Sequence, residues 1–228
     1  MSEQSNKIEK RAMPVIESRL RHNILSMPEE IRKCSGILIY GRRIKSLVFT
    51  TDIAIIRNCD ADAVFAVYPF TPQQAITNAI IKASYIPVFC GIGGSITKGS
   101  RTVSLAKDVE AQGAIGVVVN AAVSDEDLSL VADAVDLPVI TTVPRGDIDI
   151  GARIEHGATI LNVAAGPGTP DIVAKIREEY QQVPIIASGG NTPETILRTI
   201  EAGANAITYT PPTTQELFKS IMEGYRTT

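Results

Sequence analysis

Short apolar, β-branched runs alternate with amphipathic stretches of helix length along most of the chain. That alternation predicts repeated βα units and a parallel sheet. Eight runs read as strands: 36–40, 63–68, 87–90, 116–120, 138–142, 160–163, 184–187 and 206–210. Most are nearly continuous in apolar residues, as strands covered on both faces are. The expected fold is a single (βα)8 TIM barrel spanning 13–228, after a flexible N-terminus over 1–12. Residues 14–34 are expected to add one or two helices that plug the barrel bottom, with Ser26 and Glu29 as a capping box.

An internal repeat supports eight units. The third, fifth and seventh strands open on an apolar residue and proline, at Ile86-Pro87, Leu137-Pro138 and Val183-Pro184. The fourth, sixth and eighth follow a Gly-Ala pair, at Gly113-Ala114, Gly157-Ala158 and Gly203-Ala204. Glycine just past a helix closes its last turn, and proline at a strand's first residue costs no ladder bond. Thr71-Pro72, Thr169-Pro170 and Thr192-Pro193 read as helix openings, a threonine cap followed by proline at the first helical position.

Composition fits this picture and narrows the class. The 228 residues are 44% hydrophobic and 21% charged, ordinary for a globular domain. The longest apolar runs, such as 53–56 and 116–119, fall far short of the roughly 20 residues a membrane span needs. No secretory signal is visible at the N-terminus, so a cytoplasmic protein is expected, with no membrane partner. Three cysteines without CxxC spacing and two histidines argue against a zinc site or disulfide framework, and no metal site is expected. Net charge is −3, but the first 50 residues carry 10 Lys and Arg against 5 Asp and Glu. This basic end is sparser than a strong nucleic-acid footprint, so nucleic acid is not an expected partner, though it stays open, as does a homo-oligomer.

In a barrel the chemistry sits on the loops after the strands. After the seventh strand, Ser188, Gly189, Gly190 and Asn191 lead into a helix, where bare backbone N–H groups and the helix N-terminus suit phosphate. Thr208 and Thr210, with Thr213 and Thr214, offer hydroxyls beside it. The long loop 91–101 holds Gly93, Gly94 and Ser95, with Lys98 and Arg101 placed to close over an anion. Arg42, Arg43 and Lys45 follow the first predicted strand as a second anion contact. Asn120 and Asn162 end strands and are expected to touch substrate. No Asp, Glu or His ends a strand, so the catalytic candidates are Asp147, Lys98, Lys45 and Cys90. Asp147 reads as a general base or as a helix cap. Cys90 reads as a nucleophile or as packing, and His156 as structural.

The stretch 184–210, with an apolar strand, Ser-Gly-Gly, a helix, Glu-Ala-Gly-Ala and a last strand, resembles the end of the phosphate-binding (βα)8 barrel superfamily of ribulose-phosphate-binding type. That group includes 2-keto-3-deoxy-6-phosphogluconate aldolase, thiamine phosphate synthase and the sugar-phosphate isomerases of histidine biosynthesis. The whole chain is also similar to barrel proteins of low-GC bacteria that carry a generic hydrolase label. The resemblance implies an enzyme acting on a small phosphorylated metabolite, by lyase, isomerase or hydrolase chemistry. The sequence departs from the pattern twice. The sixth strand, Ile160-Leu161-Asn162-Val163, lacks a Schiff-base lysine, and the last loop, Thr210-Pro211-Pro212, lacks the expected glycine donors. Two further readings stand beside the enzyme: a non-catalytic metabolite sensor resembling glycerol-3-phosphate-responsive antiterminators, and a flavin barrel holding FMN.

Overall fold

The computed structural model describes residues 12–16 and 24–227. Apart from Ala12, the N-terminus expected to be flexible lies outside the described residues, as do residues 17–23 of the expected extra helices. The remainder of that segment forms no α-helix. It contains one 3-10 helix, Glu29–Lys33, whose preceding residue is Pro28, so the Ser26–Glu29 capping box does not form.

Two strands, β1 (Ile37–Ile39) and β2 (Arg42–Ile44), pair as an antiparallel hairpin. The two-residue turn between them needs positive φ at both positions, and Tyr40 and Gly41 have φ of 47° and 78°. Then follow β3 (Ser46–Phe49), α1 (Ile53–Arg57), β4 (Ala63–Ala66), α2 (Gln74–Ala83), β5 (Val88–Gly93), α3 (Ser100–Ala111) and β6 (Gly116–Val119). The chain continues through α4 (Asp125–Ala132), β7 (Val139–Val143), α5 (Ile150–Glu155), β8 (Ile160–Val163), α6 (Thr169–Glu179), β9 (Ile185–Ser188), α7 (Pro193–Glu201), β10 (Ala206–Tyr209) and α8 (Thr214–Thr227). Strands β3 to β10 close into an eight-stranded parallel barrel, with β10 pairing β3. The fold is the expected TIM barrel.

The first barrel strand is a correction. The run 36–40 belongs to the hairpin, and the barrel begins at Ser46. Ile37, Ile39 and Ile44 are buried in one cluster with Leu47, Phe65, Phe89, Ile140, Ile160 and Ile186, which fill the barrel interior. The plug expected from helices is therefore this hairpin, while the 3-10 helix packs outside against α7. A second cluster, with Val48, Val64, Val117, Leu161, Ile185 and Ile207, lies between strands and helices. Period-two alternation thus assigns each strand residue to one side or the other.

Asp62, just before β4, fixes where β3 starts. Its Oδ2 accepts from the N–H groups of Lys45 (2.8 Å) and Ser46 (2.9 Å), and its own N–H donates to Ser46 Oγ (2.9 Å). Asp62→Ala leaves these half-buried donors bare and is expected to cost about 1–3 kcal/mol in urea unfolding. Asp62→Asn, which keeps an acceptor oxygen, should recover most of that loss.

The repeat signals hold at helix ends. Gly113, Gly157 and Gly203 have φ of 93°, 98° and 112°, the left-handed conformation that stops a helix. Thr192 caps α7 through a reciprocal box with Thr195. Thr71 does not cap α2, which starts three residues later at Gln74 without a side-chain cap, and Thr169 is the first residue of α6 rather than its cap.

Candidate functional site at the C-terminal face of the barrel

Alternation sends one residue near the end of each barrel strand toward the axis. On β7 to β10 these are Thr142, Asn162, Ser188 and Thr208. On β3 to β5 they are Phe49, Val67 just past β4, and Gly91, with Asn120 just past β6. The top of the barrel is thus polar on one side and apolar on the other.

On the polar side, Asn162 is 6% exposed and its Nδ2 donates to Thr142 Oγ1 at 3.3 Å. Thr142 Oγ1 in turn donates to the Val119 carbonyl at 3.1 Å. Asn162 Oδ1 is buried and has no donor among the described residues. Ser188 and Thr208 bring their hydroxyls within 3.3 Å of each other. Beyond Ser188, Gly190 has φ 78°, and no backbone partner holds the N–H groups of Gly190 and Asn191 among the described residues. These donors stand at the N-terminus of α7, where the helix dipole adds partial positive charge.

The last loop does not add to this cup. Thr213 Oγ1 bonds Glu216 Oε2 at 2.8 Å, and Thr214 Oγ1 bonds Asp52, so both hydroxyls are engaged in capping contacts. Thr210 is exposed at the end of β10.

On the apolar side a cavity of about 550 Å³ opens, lined by Phe49, Val67, Phe70, Gly91, Ile96 and Val118 among others, and reaching Asn120 and Thr142. Gly91 clears its floor: a Cβ there would meet Val67 Cγ2 at 3.3 Å and the Ala66 carbonyl at 3.4 Å. The loop after β5 is fastened over it by Thr97, 1% exposed, whose Oγ1 accepts from Gly94 N–H (2.9 Å) and donates to the Ile92 carbonyl (3.2 Å). Gly93 and Ser95 line the cavity, and Asn120 Nδ2 donates to Ser95 Oγ at 3.1 Å. Gly94 packs behind it against Val123. Among the described residues no carboxylate, histidine, lysine or arginine lines this cavity, and Tyr68 is its one ionisable side chain.

The expected site residues therefore divide. Asn120, Asn162, Ser188, Thr208, Gly93 and Ser95 gather at the C-terminal face. Lys98 and Arg101 are exposed outside the cavity. Arg42 and Lys45 are corrections: they precede β3, on the opposite end of the barrel, and Lys45 Nζ bonds the Arg32 carbonyl there. Their expected place at the site rested on taking the hairpin for the first barrel strand.

Cys90 is a third correction. It points outward into the strand–helix cluster, is 1% exposed, and burial pushes its thiol up to about 12. A thiolate is disfavoured there. Burial likewise pushes Cys34 up to about 11 and raises Cys59. All three thiols are expected to stay unreacted with Ellman's reagent at pH 8 in the folded protein and to react together on unfolding. Rapid labelling of Cys90 in the native state would contradict this burial.

Asp147 stands on the rim, 69% exposed, paired with Arg145 Nε at 3.0 Å. It is not the cap of α5, a role that falls to Asp149, whose Oδ1 accepts from Ala152 N–H. His156 bonds Ser129 Oγ through Nδ1 at 2.9 Å, a contact between helices away from the C-terminal face. Sequence reading missed Phe49, Val67, Phe70 and Ile96. The run Tyr68-Pro69-Phe70-Thr71-Pro72 carried the available signal, since paired prolines hold an aromatic stiffly over the barrel mouth.

No protein-family model matches the chain, and the comparison with curated proteins finds no match. Solved structures do match. Phosphonopyruvate hydrolase superposes with a TM-score of 0.66 at 14% identity, over 83% of each chain. Phosphoenolpyruvate phosphomutase from Streptomyces platensis subsp. rosaceus gives 0.61 at 13%, over 80% of this chain and 81% of that one. The 4-hydroxy-tetrahydrodipicolinate synthase of Methylacidiphilum fumariolicum SolV gives 0.58 at 16%, over 78% and 73%. At such identities these likenesses establish that the chain is a (βα)8 barrel, and no more than that.

Proposed function

We propose that the protein binds a small phosphorylated metabolite at the C-terminal face of the barrel and acts on it as a lyase- or hydrolase-type enzyme. The observation that carries the binding half is the pair of N–H groups at Gly190 and Asn191, without a partner among the described residues, on a helix N-terminus and beside the Ser188–Thr208 hydroxyl pair. Such donors favour a phosphoryl oxygen without a charged side chain. The catalytic half draws on the barrels it resembles in fold, several of which are named for reactions of small acids, such as phosphonopyruvate hydrolase and 2,3-dimethylmalate lyase. Asp147 and Lys98, both on exposed loops, are the acid–base candidates left at this face.

A second reading is favoured by the uncharged cavity wall: the same pocket in a metabolite sensor without turnover. Both readings share a test. Sugar phosphates, glycerol-3-phosphate and FMN are screened by thermal shift. A ligand at a hundredfold excess over its Kd adds about 2.7 kcal/mol, about 5–10 °C for a domain of this size. The reading requires a shift that Gly190→Asp abolishes, and turnover of the same ligand separates enzyme from sensor. No shift with any phosphate ester sinks it, and a shift with FMN alone supports a flavin barrel instead.

A further inference from the structure

The two-sided barrel top limits what the phosphate's other end can be. A fully hydroxylated sugar phosphate would set hydroxyls against Phe49, Val67, Phe70 and Ile96, which cannot pair with them, leaving Ser95, Asn120 and Thr142 to meet the others. These side chains are open: Phe49 is 38% exposed, Phe70 73% and Ile96 83%. Phe49 points to the barrel axis yet is not covered; its ring centroid lies 6.2 Å from that of Phe65, with the planes tilted by 37°. Apolar surface facing a formed cavity at the axis is surface for a ligand to cover.

The apolar and polar sides meet at Thr142. Thr142 lines the cavity and is bonded to Asn162, and Asn162 is in register with Ile186, two residues before Ser188.

We infer that the ligand is an amphiphilic phosphate monoester: a phosphate on the loop after β9 and an aromatic or branched aliphatic group in the 550 Å³ cavity. This rests on the phosphate reading above and narrows its substrate class.

Calorimetry with phenyl phosphate, glycerol-3-phosphate and benzyl alcohol tests it. Phenyl phosphate should bind at least about tenfold tighter than glycerol-3-phosphate, consistent with the burial of one apolar ring. In the double variant Phe70→Ser/Ile96→Ser that ratio should fall at least about fivefold, a change read in exposed residues whose removal leaves the core intact. Glycerol-3-phosphate binding as tightly as phenyl phosphate, or a ratio unmoved in the double variant, overturns the amphiphile while leaving phosphate binding in place. If neither phosphate binds, or Gly190→Asp leaves both affinities unchanged, the phosphate reading itself fails. Benzyl alcohol matching phenyl phosphate would likewise remove the phosphate from the site.

Discussion

Phe89→Ala should destabilise the protein by about 3–5 kcal/mol, the usual cost of removing a fully buried phenyl ring. Phe89 is 0% exposed, faces the barrel axis, and lies 6.3 Å from the ring of Phe65. The chain makes room for it with Gly116 on the next strand, where a Cβ would come within 2.8 Å of Phe89 Cδ1 and 3.0 Å of Ile140 Cδ1. Gly116→Ala is therefore expected to cost about 1–3 kcal/mol by overpacking. In the Phe89→Ala background the added methyl enters vacated space, so the same substitution should cost less or even stabilise. A double-mutant cycle by urea denaturation should return a coupling of at least about 0.5 kcal/mol. An additive cycle would mean that the ring and the glycine do not share this space.

The pairing of a large ring with a missing side chain shows what the sequence could and could not convey. The repeat of Pro and Gly-Ala strand openings placed six of the eight barrel strands to within a few residues, because backbone punctuation is local and survives in any context, and the apolar run 63–68 placed a seventh. The first strand failed for a reason equally local. Ile37-Leu38-Ile39 has the apolar character of a barrel strand, and its hairpin turn is made by Tyr40-Gly41, where an Asn or Asp before the glycine would have announced it. Once the hairpin took the place of the first strand, Arg42 and Lys45 were carried to the wrong end of the barrel. Cys90 failed differently. One residue of shift turns a strand side chain from axis to exterior, and periodicity in a strand apolar on both faces gives no sign of which is which. Ser188 and Thr208 were legible because a polar residue in such a run has to face something polar. The cavity wall was not: Val67 sits in an apolar run, Phe49 falls outside the predicted strands and Ile96 lies in a Gly-rich loop, and what they face is decided only when the barrel closes.

The loop after β9 is the place where stability and binding should fail together. Gly190→Val is expected to cost about 2–4 kcal/mol, combining the strain of a β-branched residue at positive φ with damage to a helix cap. Both contributions are visible at this residue: φ is 78°, and a Cβ would approach Thr195 Oγ1 to 2.5 Å and Thr195 Cβ to 3.0 Å. Thr195 is half of the capping box of α7, accepting from Thr192 N–H while its own N–H donates to Thr192 Oγ1, each at 3.3 Å. Pushing Thr195 aside frays the first turn of the helix and turns the Gly190 and Asn191 N–H groups away from a common point. Phosphate-ester affinity should then drop below detection at temperatures where the variant is still folded. Gly168→Ala is the control, a glycine at φ −81° with nothing within 4 Å of its added Cβ. It should change stability by no more than about 0.5 kcal/mol and leave binding intact. A Gly190→Val protein that melts with the wild type would remove the constraint on which the anion site depends, because the loop would then tolerate a side chain where the donors need bare backbone.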